Sequence, residues 1–307
     1  MRKTCLEMVY ELAIIDSRVV FIGSDLGTGT LNRFKKEMPE RFFMEGISES
    51  NIIGLAAGLA MEGKIPYVNT IASFITRRAY EQIVLDVCLD NLNVRLIGNG
   101  GGGVYAPLGP THMTFEDIAI MRCIPNMTIF APADANEMKK IMLQTTQHSG
   151  PIYLRLAKGY EPVVTDQESI FEIGKSVVMT KGKDAILFTT GITLKIALDC
   201  AEVLSSKGFD ISVVHLPTIK PLDKNVLSLI KNIPVVVTVE EHSLIGGFGS
   251  ALGEIILEEN FENPIKFKRI GVSDIFPDEY GSQSSLMERF SITQINLVNT
   301  ILKLIHS

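Results

Sequence analysis

The chain of 307 residues has no tryptophan, only four cysteines and only five histidines. Cys5, Cys88, Cys123 and Cys200 stand far apart, and none forms a CxxC pair. The sequence therefore carries no sign of a zinc site or a redox dithiol, and buried, reduced thiols are expected. His148, His215, His242 and His306 show no pairing at metal-ligand spacing. No apolar run approaches the ~18 residues of a membrane span. Near the amino terminus Glu7 and Glu11 interrupt any apolar signal segment, so the protein is expected to be cytoplasmic. There is no lysine- or arginine-rich block, and the formal net charge is −6, which argues against nucleic acid or an anionic membrane as partner. Low-complexity tracts and short-period repeats are also missing. With 46% hydrophobic and 21% charged residues, the chain has too much apolar material for general disorder.

What is present is a rhythm of short apolar runs separated by stretches of helical period, the pattern of an α/β protein with doubly wound domains. Val19–Gly23, Ile65–Val68, Val94–Gly98, Met127–Pro132 and Ile152–Arg155 read as strands. Continuous runs, rather than alternation, are what parallel strands covered on both faces require. Helices are expected at Asn51–Met61, Ala79–Asp90, Phe115–Met121 and Ala135–Thr145, the last with Asp134 as N-cap. The segment Lys158–Glu172, with Gly159 and Pro162, breaks the rhythm and reads as a linker. A second series follows, with strands Ala185–Thr189, Ile211–His215 and Pro234–Val239 and helices Ile192–Lys207, Asp223–Lys231 and Gly249–Glu259. The length and this break predict two domains, residues 1–165 and 166–307.

Four segments could carry chemistry. Glu49, in Gly46-Ile47-Ser48-Glu49, precedes a helix; it either caps that helix or serves as an acid/base group at the edge of a sheet, where α/β folds bind ligands. Phe74 is either a core aromatic or a face for a planar ligand, and of the adjacent Arg77 and Arg78 at least one must be a solvated or interface charge. Gly98-Asn99-Gly100-Gly101-Gly102-Gly103 could approach a phosphate through backbone amides, yet it lacks the spacing of a dinucleotide or P-loop motif, so a flexible active-site loop is expected. His112 follows Gly109-Pro110-Thr111 on a stiff turn; it is either an ordinary surface histidine or a proton-transfer group held on a rigid loop.

Taken together, these segments resemble the C-terminal half of transketolase and 1-deoxyxylulose-5-phosphate synthase. Those are thiamine-diphosphate enzymes built from diphosphate-binding, pyrimidine-binding and C-terminal domains. The resemblance covers essentially the whole chain, but only the last two domains. It rests on Gly46–Glu49, on Phe74 ahead of Arg78-Ala79-Tyr80-Glu81-Gln82, and on Gly109–His112, Arg122–Met127, Ile219–Asp223 and Val239–Gly249. It implies that Glu49 hydrogen-bonds N1′ of the aminopyrimidine and promotes formation of the thiazolium ylide. It also places Ile47, Ser48 and Phe74 at the cofactor, with Phe74 stacked on the pyrimidine. His112 would act on the substrate as a proton-transfer group, with Lys158 and Arg77 on the substrate side. Lys158 stands where relatives carry an arginine that grips a sugar phosphate, and a lysine is a point charge rather than a bidentate fork.

Three departures shape what the resemblance implies. No Gly-Asp-Gly occurs in the sequence, and Met1 stands where a pyrimidine-binding domain would begin. Mg²⁺ and the diphosphate are therefore expected on a partner, an N-terminal subunit carrying Gly-Asp-Gly and a downstream Asn, in a two-plus-two heterotetramer. Leu108 replaces an acid often found before Gly-Pro-Thr-His, and Ile71 replaces a tyrosine typical of the deoxyxylulose synthases. The expected activity is transfer of a two-carbon ketol unit from a ketose, phosphorylated or otherwise anionic, to an aldose. The alternatives are the β subunit of a 2-oxo acid dehydrogenase E1, a deoxyxylulose-phosphate synthase-like enzyme, and a non-catalytic paralogue.

Overall fold

The computed structural model describes residues 1–24, 29–167, 171–277 and 280–307. Its strands are β1 (Val19–Gly23), β2 (Phe42–Met44), β3 (Ile65–Ile71), β4 (Arg95–Asn99), β5 (Thr128–Phe130), β6 (Ile152–Leu156), β7 (Val177–Thr180), β8 (Ala185–Thr189), β9 (Ile211–His215), β10 (Thr218–Lys220), β11 (Val235–Ser243) and β12 (Lys266–Val272). The α-helices are α1 (Arg2–Ile15), α2 (Asn32–Glu37), α3 (Glu49–Met61), α4 (Ala72–Arg78), α5 (Tyr80–Gln82), α6 (Asp117–Arg122), α7 (Ala135–Thr145), α8 (Thr193–Ser206), α9 (Val226–Ile230), α10 (Phe248–Glu258), α11 (Gln283–Arg289) and α12 (Gln294–His306).

The first sheet runs β10–β5–β6–β4–β3–β1–β2 and the second β12–β11–β8–β9–β7. In the first, all neighbours are parallel except β10 on β5. The carboxyl ends of β1, β3, β4 and β6 therefore share one edge. Strands β1, β3, β4, β5 and β6 are buried at every position because helices cover both faces. On one face α1 packs against α7, where Cys5, Leu6 and Val9 meet Met138, Ile141 and Met142. On the other, Ile52, Ile53 and Ala56 of α3 join Ile75 of α4. Each buried Leu, Ile, Val or Met among them contributes about 1.5–3 kcal/mol of transfer free energy. Asp134 caps α7 as expected, its carboxylate accepting the Glu137 N–H at 3.0 Å.

The second sheet is parallel apart from β7, which pairs antiparallel with β9. It is packed by α8 and α12 on one side, through Leu194, Ala197 and Leu204 with Leu297 and Ile301. Phe248 and Leu252 of α10, with Val226 and Ile230 of α9, pack the other. The chain is thus an α/β protein with two mixed, mostly parallel sheets. No regular element lies between β6 and β7 among the described residues.

Three differences from the sequence pattern have physical causes. Strands β2, β7, β10 and β12 carry no apolar run longer than three residues. Each lies at the edge of a sheet, and β7 and most of β12 are only partly buried. The helix expected over 79–90 is a short α-turn followed by a π-helix at Ile83–Cys88, whose end is marked by Leu89 N–H to Val84 O at 3.0 Å. Finally, β10 lies far beyond the linker yet belongs to the first sheet, Thr218 facing Phe130 and Lys220 facing Ile129. Lys220 Nζ then donates to the Arg122 carbonyl at 2.9 Å.

A buried polar joint links the two halves as well. Arg155 Nε donates to Asp117 Oδ2 at 2.8 Å, Tyr153 Oη donates to the same oxygen at 2.8 Å, and Arg155 Nη2 donates to the Glu241 carbonyl at 2.9 Å. Burial alone would lower the Arg155 pKa, but Asp117 and Glu241 hold it above the ordinary arginine value. Burial pushes the Glu241 carboxyl above the usual carboxylate range, opposed by Arg155, the Gly103 amide and Gln283.

Candidate active site

The shared carboxyl edge of β1, β3, β4 and β6 gathers most of the residues singled out from the sequence. Helix α3 begins two residues earlier than its apolar pattern indicates, so Glu49 lies in its first turn with Ser48 as N-cap residue. The Glu49 carboxylate caps nothing. It is 3% exposed, and its oxygens turn to Thr70 Oγ1 at 3.5 Å, at the end of β3, and to Arg78 Nη1 at 3.2 Å, at the end of α4. Ser24, just after β1, donates to Thr70 Oγ1 at 3.0 Å and extends this line of hydroxyls. Ser50 Oγ donates to the Arg78 carbonyl at 2.9 Å, tying the start of α3 to the end of α4.

Phe74 lies within α4, one turn before Arg78, and is half-buried. A 74/78 pair is spaced i, i+4, so the two side chains share a helix face. The Arg78 guanidinium carbon is 3.9 Å from the Phe74 ring centroid. The His112 ring meets Phe74 edge-on at 5.1 Å. His112 sits on a loop held from several sides. Gly109 adopts φ +79°, Ser73 Oγ donates to the His112 carbonyl at 3.2 Å, and Thr111 Oγ1 lies 2.9 Å from His112 Nδ1. Glu49, Phe74 and His112 thus form one cluster, joined through Arg78.

The remaining candidates are placed differently. Arg77 is bound to Glu116 and donates to the Met113 carbonyl at 2.9 Å, so its charge braces the His112 loop. It also lines a cleft of about 720 Å³ between the two halves, together with Thr111, Phe115, Ser243 and Phe276. Neither Glu49 nor Phe74 lines that cleft. The Ser48 hydroxyl donates to the Glu45 carbonyl at 3.1 Å, and Ile47 is 70% exposed beside Glu49. Lys158 is exposed, two residues beyond the end of β6 on the same sheet edge.

The glycine run is not a flexible loop. All of Gly100–Gly103 is buried. The Gly100 and Gly101 amides both donate to the Leu156 carbonyl at 2.9 Å, Gly102 donates to Thr114 O at 2.8 Å, and Gly103 donates to Glu241 Oε1 at 2.9 Å. With every amide already paired, the run has no cradle for a phosphate. Its glycines exist for close packing, since a Cβ at Gly101 would meet the Arg155 side chain and one at Gly102 the Glu241 carboxyl.

Sequence reasoning did not anticipate Thr70, Arg78 as a partner of both Glu49 and Phe74, or the Asp117–Arg155–Glu241 joint. The i, i+4 spacing of Phe74 and Arg78 was the one visible signal. An aminopyrimidine suits this cluster. It needs a flat apolar face and a buried carboxyl with an oxygen to spare, and Glu49 Oε1 has only the long contact to Thr70. Among the described residues, no group of three His, Cys, Asp or Glu side chains could hold a metal ion. No helix there is long and apolar enough to cross a membrane.

Comparison with known proteins adds the family. The pyrimidine-binding domain of transketolase matches residues 1–162, and the transketolase C-terminal domain matches residues 174–295. The 6-deoxy-6-sulfo-D-fructose transketolase subunit SqwH of Clostridium sp. (strain MSTE9) is 37% identical over 300 residues, covering 97% of this chain and 92% of that protein. An apulose-4-phosphate transketolase subunit from Actinobacillus succinogenes is 36% identical, with 93% and 92% covered. A solved structure of a split-gene transketolase, described as an inactive β4 tetramer, superposes with a TM-score of 0.91 at 35% identity, covering 99% of this chain and 98% of that one. By contrast, the chain spans only 44% of the 1-deoxy-D-xylulose-5-phosphate synthase of Microcystis aeruginosa, to which it is 37% identical. In sequence, in fold and in the order of its two domains, this chain belongs to the transketolase family.

Proposed function

We propose that the chain is the C-terminal subunit of a split, thiamine-diphosphate-dependent transketolase that moves a two-carbon ketol unit from an anionic ketose to an aldose. The observation that carries this reading is the cluster of Glu49, Phe74 and His112 on one sheet edge, in a chain that matches transketolase subunits along nearly its whole length. When bound, thiamine diphosphate supplies a carbon nucleophile and an electron sink for breaking the ketose C2–C3 bond. The chain's own residues bind and orient the pyrimidine half. Phe74 stacks on it, and the buried Glu49 carboxyl shares a proton with its N1′ atom. His112 moves a proton at a substrate oxygen, and Lys158 offers its ammonium to the anionic end of the sugar.

The diphosphate and Mg²⁺ belong, in this reading, to a second subunit with a Gly-Asp-Gly motif, in a two-plus-two assembly. The near-complete coverage of two relatives that are themselves named as transketolase subunits supports the division of labour. An anionic donor is favoured by two relatives, one named for a sulfo-sugar and one for a sugar phosphate. The test is a coupled ketol-transfer assay on the chain co-purified with such a partner. Glu49→Gln should keep the fold and lower turnover by several orders of magnitude, about 4 kcal/mol or more in barrier. Near-normal turnover of that variant would remove Glu49 from the mechanism. The deoxyxylulose synthase reading, supported by the 37% identity over 44% of such an enzyme, would instead show as pyruvate acting as the donor.

A further inference from the structure

The same cluster carries one more inference, which rests on the cofactor reading above. Arg78 presents to Glu49 and Phe74 the chemistry that an aminopyrimidine would present. A guanidinium is flat, lies on an aromatic face, and points N–H donors along its edge. Here its carbon lies 3.9 Å from the Phe74 centroid while Nη1 reaches Glu49 Oε2 at 3.2 Å. Both contacts use groups assigned to the pyrimidine. The Arg78 side chain is 48% exposed, so its path into solvent is open, and its departure uncovers the Glu49 carboxylate and the Phe74 face. Its backbone stays fixed meanwhile, because the Arg78 carbonyl is held by Ser50.

We propose that Arg78 is a built-in occupant of the pyrimidine place, which the cofactor must displace. It keeps the buried Glu49 carboxylate paired and the Phe74 face covered while the site is empty. In exchange it reduces the apparent affinity by the fraction of chains in which it is seated. Arg78 is in this sense an affinity-setting residue.

The test uses the full chain and the neutral probe 4-amino-5-hydroxymethyl-2-methylpyrimidine, followed by ligand-observed NMR titration. A neutral probe avoids the attraction of Arg78 for the diphosphate. Arg78→Ala should bind the probe about tenfold more tightly than the parent, the worth of one cation–π contact and one half-exposed ion pair. Millimolar methylguanidinium should reverse that gain in the variant and leave the parent unchanged. Glu49→Gln or Phe74→Ala should weaken binding in either background. Unchanged or weaker binding in Arg78→Ala, with Glu49→Gln still harmful, would overturn the occupancy of Arg78 and leave the cofactor site standing. Binding indifferent to all three substitutions, or absent from every form, would overturn the cofactor site and this proposal with it.

Discussion

At the scale of single residues, the proposed function assigns some groups to the cofactor and others to the substrate. His112 touches Phe74 through its ring and is held by its loop, whereas Lys158 stands exposed on the sheet edge. In the reconstituted enzyme, His112→Ala should lower kcat for ketol transfer by ~10²–10⁴-fold, the usual worth of a placed proton-transfer group. Lys158→Ala should raise KM for anionic sugars by about 1.5–3 kcal/mol, the worth of a charged hydrogen bond, and leave KM for neutral sugars unchanged. Steady-state kinetics with paired anionic and neutral sugars distinguishes the two effects, and equal losses on both sugars would make Lys158 structural. The three segments that meet in this cluster were legible in the sequence, those of Glu49 and His112 through their glycine-containing turns and that of Phe74 through its place between a strand and a helix. Arg78 was not, because its part depends on a three-body contact among a helix start, a helix end and the ring between them.

At the scale of elements, the buried strands and the helices over them were readable, because parallel strands covered on both faces leave continuous apolar runs. Edge strands leave at most a three-residue trace, and a glycine run whose amides are all consumed by neighbouring carbonyls and Glu241 leaves none. What fixes that run is the ionic joint beneath it. Arg155 is nearly buried, and among the described residues Asp117 is its only carboxylate partner at hydrogen-bond distance. Asp117→Ala should therefore cost about 3–5 kcal/mol, because it leaves a guanidinium buried and a tyrosine hydroxyl unanswered. Urea denaturation followed by circular dichroism measures this directly. A loss below ~1 kcal/mol would mean that the joint relaxes or admits water.

For the whole molecule, the thiols give an independent check on packing. Cys5, Cys88 and Cys200 are buried, and burial pushes all three up to about 12, while Cys123 is exposed. At pH 8 a thiol reagent should react quickly with one cysteine per native chain, and with all four once the chain is unfolded. Two or more fast thiols in the native protein would contradict the packing of α1, α8 or the π-helix. The division into two sheets was legible from the break in rhythm after β6, but the return of β10 to the first sheet was not, since three residues far along the chain carry no mark of their destination. That return has a consequence during synthesis. The ribosome releases β5 and β6 long before Thr218–Lys220, and at ~5–20 residues per second the flank of β5 waits several seconds for its last neighbour. An uncovered strand flank is where nascent chains stick to one another. Until the second half arrives to close it, the newborn first half of this protein carries an open strand edge.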